Sequence, residues 1–521
     1  MAATESNNKT IAKNTLFLYF RMMFTMIVSL YTSRVVLQYL GVEDFGIYQT
    51  VGGLVGLLSF VNSALAAGSS RFLTFELGKG DDDILRRTFS TVLTAHILLA
   101  LCIVIVLETA GLWFVYHKLV IPDERMDAAV FAYHISVVAI VFHLVQVPYN
   151  ASIISHEKMG IYAYTSIVEV VLRLLIVYLL TIEGFDKLRL YSILSCSISI
   201  LLFIYYRQYC VRNFNEAHYK PFVDRTILRE VVSYSGWNLF ASVSVSLVNQ
   251  GATVLMNVFF TPSVVAARAI ANQVNMAANQ FINNFRTAAN PQIIKRYAAK
   301  DYDGSRNLLI LSTKMSYYIM LALALPIALL SEPLLQIWLG QIPDFAVVFL
   351  QITIITSLFQ VFDSSFYVAL YAKGRIKENA IISPSIDFIA FGITALLYYL
   401  GYSPVVYSIT LLIAYIIQGL VIKPVLIKRI VDYSYKEIFN VILNCLNVTL
   451  FALPIPLLGY FYIMRTCSNM YVQFFFIVIV SVICVGLSSW FVGLDKYARD
   501  SVRSLVKQKI AFSFNLFLKK K

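Results

Sequence analysis

Fourteen apolar stretches divide this chain, and the charge of the links between them alternates from one link to the next. Each stretch can cross the hydrocarbon core of a membrane as a helix, which takes about 20 apolar residues. Of the 42 Lys and Arg, 31 lie in or beside links on the side of the N-terminus, and 6 lie in links on the other side. Because Lys and Arg near spans are retained in the cytoplasm, this asymmetry predicts both the spans and their orientation. We expect a multi-pass protein of the bacterial inner membrane with both termini cytoplasmic.

The predicted spans leave little of the chain for anything else. The chain is 59% hydrophobic with a mean hydropathy of +0.72, so no sizeable soluble domain fits. The net charge of +13 therefore indicates contact with anionic lipid headgroups rather than with nucleic acid. The six Cys are scattered without metal or redox spacing, and neither a metal nor a cofactor is expected. The spans are predicted at 14–33, 45–67, 88–110, 128–150, 161–182, 188–209, 231–259, 263–288, 307–330, 345–371, 380–400, 404–424, 438–463 and 470–492.

Two pairs of links indicate an internal repeat. Ser70–Arg87 resembles Asn290–Asn307 at an offset of 220 residues, and each runs basic, acidic, basic. Tyr149–Tyr162 resembles Ser365–Glu378 at an offset of 216 residues. The similar offsets predict two six-span halves that both begin in the cytoplasm, a parallel repeat that in transporters commonly encloses a central site. The alternative is chance similarity between apolar segments.

The predicted fold is an all-α membrane protein with two six-helix lobes and two additional spans. The tail carries eight basic residues among apolar ones and is predicted to lie as an amphipathic helix on the cytoplasmic leaflet. The segments are the cytoplasmic N-terminus 1–13, the first lobe 14–209, the inter-lobe linker 210–230, the second lobe 231–424, the additional spans 438–492 and the tail 495–521.

The link between the first two spans carries a local motif. It reads LGVEDFGIYQ over Leu40–Gln49, in which Gly41, Phe45, Gly46 and Tyr48 form the pattern LG-x-x-x-FG-x-Y. Taken together with the twelve plus two spans, their orientation and the repeat, this motif resembles the polysaccharide-exporter branch of the multidrug/oligosaccharidyl-lipid/polysaccharide (MOP) flippase superfamily.

The resemblance implies a V-shaped pair of lobes around a central cavity. It also implies alternating-access movement of undecaprenyl-diphosphate-linked oligosaccharide from the cytoplasmic to the outer leaflet, for O-antigen, capsule or exopolysaccharide synthesis. The implied partners are this lipid-linked oligosaccharide, membrane lipids, and a polysaccharide polymerase and other assembly proteins. The second-half counterpart, Thr261–Ile270, departs from the motif, with Ala266 opposite Gly46 and Arg268 opposite Tyr48. That departure leaves the subfamily and the substrate open.

Four arginines are candidates for contact with a diphosphate. A charge inside the membrane is costly, so it usually faces a cavity or another charge. Arg21 lies about eight residues into span 1, and the fork of donors on an arginine suits a phosphate anion. Arg34 and Arg268 lie near the outer ends of spans 1 and 8, and Arg286 lies near the cytoplasmic end of span 8. The alternative for each is an interfacial anchor or an arginine capped by backbone carbonyls.

Three acids inside spans are candidates for binding a coupling proton or cation. Glu169 and Arg173 are four residues apart on span 5, so they share a helix face and can form a structural ion pair or a coupling carboxylate that Arg173 releases. Asp363 in span 10 and Asp387 in span 11 are the acids of the second half. Asp363 has hydroxyl neighbours and can instead be neutralised by hydrogen bonds.

Span 8 carries a stripe of amides. Asn272, Asn275, Asn279 and Asn283 recur at spacings of three and four residues, so they lie on one helix face. A polar stripe facing lipid costs too much, so it faces a cavity or another helix. Amides hydrogen-bond sugar hydroxyls well, which favours a glycan-facing wall. The alternative is polar contact between helices.

No catalytic residue is predicted, and the chain is expected to be a transporter rather than an enzyme. The runner-up is a cation-coupled drug exporter of the same superfamily, which needs a net-negative cavity; the excess of Arg over acids in the spans disfavours it. A membrane glycan polymerase or ligase usually carries a large outer domain, whereas the longest outer link here, 111–127, has roughly 17 residues. A further alternative is a lipid-bound scaffold for the glycan assembly complex. The buried charges disfavour it, because a scaffold gives them no role. The links hold no G-x-x-x-x-G-K-[ST] motif, so ATP is not expected to supply the energy.

Overall fold

The structure is a computed structural model whose described residues form helices and the links between them. It describes residues 2–156, 158, 160–221, 224–226, 228–229, 242–375, 377–495 and 499. For 2–22, 63–64, 67, 162–163 and 288 it describes the backbone alone. No strand occurs in these ranges, which confirms the predicted all-α fold class. Most of the predicted amphipathic tail, 495–521, lies outside the described residues.

The helices follow the apolar stretches because a backbone in lipid must satisfy its own hydrogen bonds. The first eight are α1 Ala2–Leu57, α2 Ser59–Lys79, α3 Asp82–Val106, α4 Leu112–His117, α5 Asp123–Ser155, α6 Gly160–Leu179, α7 Lys187–Asn213 and α8 Ala252–Phe259. The next ten are α9 Pro262–Ala298, α10 Tyr302–Leu329, α11 Ser331–Leu339, α12 Ala346–Ala372, α13 Lys377–Tyr399, α14 Val406–Ile417, α15 Lys423–Ile430, α16 Tyr435–Ala452, α17 Pro454–Thr466 and α18 Met470–Ser488. Four turns are wound as π-helix, namely Leu107–Gly111, Leu247–Gly251, Gln418–Ile422 and Ser489–Gly493, and Asn215–Ala217 forms a short 3₁₀ helix.

Nine helices within the described ranges are long and apolar enough to cross a membrane. They are Asp82–His117, Asp123–Ser155, Lys187–Asn213, Tyr302–Leu329, Ala346–Ala372, Lys377–Tyr399, Val406–Ile430, Tyr435–Thr466 and Met470–Gly493. The total of fourteen spans stays a prediction. Within α1, Gly41 has a non-helical φ of 77° and ψ of 170°, so the chain between Ala2 and Leu57 is two helices joined at a kink in the predicted link between spans 1 and 2. The next helix, α2, begins at Ser59.

The chain packs as two compact units. The first comprises Met1–Ala269, Pro343–Phe345 and Asp387–Tyr407, and the second comprises Ile270–Ile342, Ala346–Ile386 and Ser408–Lys521. A core of the first unit is built from buried residues of α2, α3, α5 and α7, among them Leu73, Phe89, Ile153 and Tyr206. The core of the second unit joins α10, α12, α15 and α16, and includes Tyr317, Phe362, Ile427 and Val441. The lobe boundaries at 14–209 and 231–424 stay a prediction.

Three links of the first unit, all predicted to lie on the outer side, are joined by one arginine. Arg125, in the first turn of α5, donates to both carboxylate oxygens of Asp44 at 2.8 and 2.6 Å. It also donates to Asp186 at 2.7 Å. Asp186 in turn caps α7 by accepting from the backbone N–H of Arg189 at 3.0 Å. Since these partners lie far apart in sequence, the arginine fixes three helix ends relative to one another.

Replacing Arg125 with methionine is expected to destabilise the folded protein by about 2 kcal/mol. This figure lies between the stability lost when an exposed ion pair is broken and that lost when a buried one is broken. Arg189→Met is the matched control, because the Asp127 carboxylate that Arg189 contacts is 90% exposed. That control is expected to lose less than about 0.5 kcal/mol. Thermal unfolding of the detergent-solubilised variants measures both, and equal losses would contradict the assignment.

The Arg125 effect is also expected to depend on pH. Burial raises the pKa of Asp186, but the hydrogen bonds from Arg125 and from the Arg189 backbone outweigh it, so this pKa lies below its ordinary value. A carboxyl group with a lowered folded pKa stabilises the fold above its unfolded pKa of about 3.9, and the contribution is lost as the pH falls through the folded value. The part of the Arg125 effect that acts through Asp186 is therefore expected to shrink below about pH 4. Burial raises the pKa of Asp44 above its ordinary value, so the part that acts through Asp44 is expected to be lost at a higher pH.

Candidate functional site

The glycines of the motif Leu40–Gln49 set the path of α1. Gly41 has a φ of 77°, a conformation that favours glycine, and the helix bends there. Gly46 lies against the start of α9, and a Cβ at this position would come within 1.9 Å of the backbone oxygen of Pro262. Tyr48 contacts the ring of Tyr191 edge-on, with 4.6 Å between ring centroids. The motif is thus a bend followed by a close helix contact, both inside the first unit.

The pair on α6 forms as its spacing predicts. Arg173 donates to the Oε1 atom of Glu169 from Nη2 at 2.8 Å and from Nε at 3.1 Å. The arginine side chain is 52% exposed and the glutamate 36% exposed, so the pair is accessible from outside the unit. His143, on the neighbouring α5, lies within electrostatic reach of both charges. Whether Glu169 binds a coupling ion stays a prediction.

Arg268 is buried against a π-helical turn. A π-turn closes its hydrogen bonds one residue later than an α-turn, so a carbonyl near it lacks its usual α-helical partner. The guanidinium donates to the backbone oxygens of Val248 and Asn249 at 3.2 and 3.3 Å and to Thr253 Oγ1 at 2.7 Å. It also lies 5.0 Å above the ring centroid of Tyr407. At 7% exposure, this arginine is placed to hold the turn in shape.

The two arginines of span 1 are placed differently. Arg34 is exposed near the bend of α1. The side chain of Arg21 lies outside the described residues. The predicted phosphate contacts of Arg21, Arg34 and Arg268 stay predictions, and the surroundings of Arg268 favour the alternative of an arginine capped by carbonyls.

The amide stripe of α9 splits along its length. Asn275 and Asn279 bind each other and a neighbouring helix: the Asn279 amide donates to Asn275 Oδ1 at 3.0 Å, and Ser357 Oγ on α12 donates to the same oxygen at 2.5 Å. Asn272 is half-buried and Asn283 is exposed. The middle of the stripe therefore makes the polar contact between helices that was the alternative to a glycan-facing wall.

Asp387, on α13, lies in the first unit. It accepts a hydrogen bond from Ser244 Oγ at 2.9 Å and acts electrostatically on Tyr407. The Ser244 hydroxyl and the Asp387 carboxylate carry oxygen atoms of the kind that bind cations. The coupling role of Asp387 stays a prediction.

In the second unit, the side chain of Arg286 donates its hydrogen bonds to neutral groups. From α9 it donates to Ser364 Oγ at 2.6 Å, to Ser365 Oγ at 3.0 Å and to the Val361 backbone oxygen at 3.0 Å. Its Nε is a buried donor that has no hydrogen-bond partner in the part of the chain that the structure describes. The side chain is half-buried.

Asp363 lies among the same residues of α12, and its nearest cation is Lys423. The Lys423 Nζ atom is 3.1 Å from Asp363 Oδ1, although the two atoms lack the alignment of a hydrogen bond. Lys423 also donates to Asn379 Oδ1 on α13, and its side chain is 1% exposed. The electrostatic influence of Asp363 extends to Arg286. We name Arg286, Asp363 and Lys423 the charge triad.

The sequence did not single out Lys423 or Asn379. Lys423 stands at the predicted cytoplasmic end of span 12, where most lysines are interfacial, and its burial follows from the packing of α12, α13 and α15 around it. The available signal was a lysine directly before Pro424 inside an apolar stretch. Chemically, the charge triad holds two cations and one carboxylate, an arrangement that leaves one positive charge in excess and suits an anion.

Comparison with known families gives two matches. The family model described as "Polysaccharide biosynthesis protein" matches residues 11–296, more than half of the chain, and a model described as "MatE" matches residues 239–400. A search of curated proteins by sequence gives no match.

Solved structures of similar fold cover most of the chain. One is described as "Lipid II flippase MurJ, inward closed conformation", with 14% identity, a TM-score of 0.71, and coverage of 94% of this chain and 99% of that chain. An inward-facing multidrug resistance MATE family transporter of the MOP superfamily has 15% identity, a TM-score of 0.63, and coverage of 78% and 96%. A MOP superfamily transporter from Pyrococcus furiosus has 15% identity, a TM-score of 0.53, and coverage of 81% and 96%. The chain belongs to the polysaccharide biosynthesis protein family, and it is a multi-pass membrane protein with the fold of the flippases and transporters of the MOP superfamily.

Proposed function

We propose that this protein is a flippase that moves polyprenyl-diphosphate-linked oligosaccharide from the cytoplasmic to the outer leaflet of the bacterial inner membrane. The oligosaccharide repeat unit would serve O-antigen, capsule or exopolysaccharide synthesis. The two termini lie in the cytoplasm in this proposal, as the distribution of Lys and Arg predicts. Its partners are the lipid-linked oligosaccharide, membrane lipids, and a polysaccharide polymerase with other assembly proteins.

The proposed binding of the diphosphate headgroup rests on the surroundings of Arg286. Arg286 is half-buried on α9, and it donates hydrogen bonds to two serine hydroxyls and a backbone carbonyl, none of which carries a negative charge. The Nε donor has no partner among the described residues. A guanidinium offers several donors in one plane, which match the oxygens of a phosphate. Arg286 is the residue that we assign to the diphosphate.

The test is a flipping assay in liposomes that contain the purified protein and a lipid-linked oligosaccharide from the same bacterium. A membrane-impermeant glycan-cleaving reagent reports how much sugar reaches the outer leaflet. The wild type is expected to exchange sugar between leaflets, and Arg286→Gln is expected to lower the rate by about a hundredfold, as for loss of a charge-assisted contact to an anion.

The matched control for this assay is Arg296→Gln, on the last turn of the same helix. Its side chain is 51% exposed and lies 3.8 Å from Asp301, so its rate is expected to stay near that of the wild type. Exchange by Arg286→Gln at the wild-type rate would remove Arg286 from the proposal. Absence of exchange by the wild type, with and without a proton or sodium gradient, would contradict the flippase itself.

A cation-coupled drug exporter is the second candidate, and the match of residues 239–400 to the "MatE" model favours it. Glu169, Asp363 and Asp387 are the acids available to bind a proton or sodium ion in that case. Gradient-driven efflux of a fluorescent organic cation from the same liposomes is the measurement. Efflux that is lost in Asp387→Asn, together with no exchange of oligosaccharide, would replace the first proposal with this one.

A further inference from the structure

The charge triad of the second unit contains one cation more than it needs for internal neutrality. Lys423 is 1% exposed, and a buried ammonium group is costly unless it is paired. Its surroundings meet that requirement. They supply the Asp363 carboxylate at 3.1 Å, the oxygen of Asn379 and the ring of Tyr367 at 5.5 Å. Lys423 is therefore held at one place by three different helices, α12, α13 and its own α15.

Asp363 has a second cation within electrostatic reach. Arg286 binds Ser364 and Ser365, which follow Asp363 directly in sequence, and the charge of Asp363 acts on the guanidinium. Nevertheless, the carboxylate faces Lys423, and no ion pair between Asp363 and Arg286 forms among the described residues. One carboxylate thus lies between two cations and is paired with the buried one.

The absence of Lys423 would change this distribution of charge. An unpaired buried carboxylate attracts the nearest cation, and an arginine can offer it two parallel hydrogen bonds. Arg286 would then use its Nε donor and its positive charge to bind Asp363 inside the protein. An anion approaching from outside would meet a neutral pair instead of a cation.

We propose that Lys423 is a positioning residue that occupies Asp363 and so keeps Arg286 available for the diphosphate of the substrate. This inference rests on the proposed function, since it assigns a role to Lys423 at the same site. Lys423 does not contact the substrate in this arrangement. It acts through Asp363.

The experiment compares Lys423→Met, Asp363→Asn and the double variant in binding of inorganic diphosphate to the purified protein, and in flipping. Lys423→Met is expected to weaken diphosphate binding by at least about tenfold, because Asp363 then neutralises Arg286. The double variant is expected to return to within about threefold of the wild type, because Arg286 has no carboxylate left to pair with. Asp363→Asn alone leaves two cations and is expected to bind diphosphate about threefold more tightly than the wild type.

Two further variants separate this role from a purely structural one. Lys428→Met, on the exposed side of the same helix, is expected to bind as the wild type does. Lys423→Arg keeps the charge and is expected to keep the binding. If Lys423 only stabilised the fold, Asp363→Asn would lose stability without gaining affinity, and that result would overturn the inference even if Lys423→Met fails to fold.

Failure of the inference can be told from failure of the proposed function. Wild-type binding and flipping by Lys423→Met would reject the role of Lys423 and leave the flippase intact. The variants could show the expected order of diphosphate affinities while the wild type does not flip lipid-linked oligosaccharide. That result would support the charge arrangement and reject the flippase.

Discussion

Gly46→Ala is expected to destabilise the first unit by at least about 3 kcal/mol, the upper end of the usual cost of overpacking. The added Cβ would lie 1.9 Å from the backbone oxygen and 2.5 Å from the carbonyl carbon of Pro262. A side chain can rotate away from such a contact, but a backbone carbonyl at the start of a helix cannot. The helices α1 and α9 must therefore separate locally, and the contact between them is lost.

Gly52→Ala is the matched control for this change. Gly52 lies in the same helix, its φ is not positive, and a Cβ there would meet nothing within 4 Å among the described residues. Since alanine also favours helix over glycine, the control is expected to stay within about 1 kcal/mol of the wild type or to exceed it. Thermal unfolding in detergent, followed by tryptophan fluorescence, compares the two. Equal stability of both variants would show that the Gly46 contact is not needed.

Arg268→Met is expected to lower the stability of the first unit by about 3 kcal/mol, because it leaves buried acceptors without a charged donor. The carbonyls of Val248 and Asn249 receive hydrogen bonds from this guanidinium. Val248 keeps its bond from the Tyr407 hydroxyl at 2.6 Å, so the loss falls chiefly on Asn249 and on the Thr253 hydroxyl. The π-turn Leu247–Gly251 is expected to become less well defined.

Arg34→Met is the control for Arg268→Met, because Arg34 is exposed. It is expected to change stability by less than about 0.5 kcal/mol. Hydrogen exchange of the amides of Leu247–Gly251, measured by mass spectrometry, adds a local readout: it should speed up in Arg268→Met and stay the same in Arg34→Met. Unchanged exchange in both variants would mean that the turn does not depend on the arginine.

Local features of this protein could be predicted because the physics that sets them acts over a few residues. Helices follow from apolar stretches, since no other open backbone structure satisfies its hydrogen bonds in lipid. The pair of Glu169 and Arg173 follows from a spacing of four on one helix, and the structure confirms the contact. The motif around Gly41 and Gly46 indicated the family, and the matching family model confirms it.

The sites that depend on packing could not be predicted in the same way. The roles of Asn275 and Asn279 toward a glycan stay a prediction, and their spacing could not show that Ser357, on another helix, hydrogen-bonds with both of them. The role of Arg268 toward a phosphate also stays a prediction, and its position in the sequence could not show that a π-turn brings two carbonyls to it. Sequence spacing says which face of a helix is polar, not which group of a distant helix lies opposite.

Hydropathy, the distribution of Lys and Arg and the glycine motif are local properties of the sequence, so they were enough to predict a helical membrane protein of this family. The burial of Lys423 beside Asp363, and the neutral partners of Arg286, became visible in the folded chain alone. The energy of a charge inside a membrane protein depends on the groups that lie within a few ångströms of it in space. For Lys423 those neighbours come from residues 44 and 60 positions away, Asn379 and Asp363.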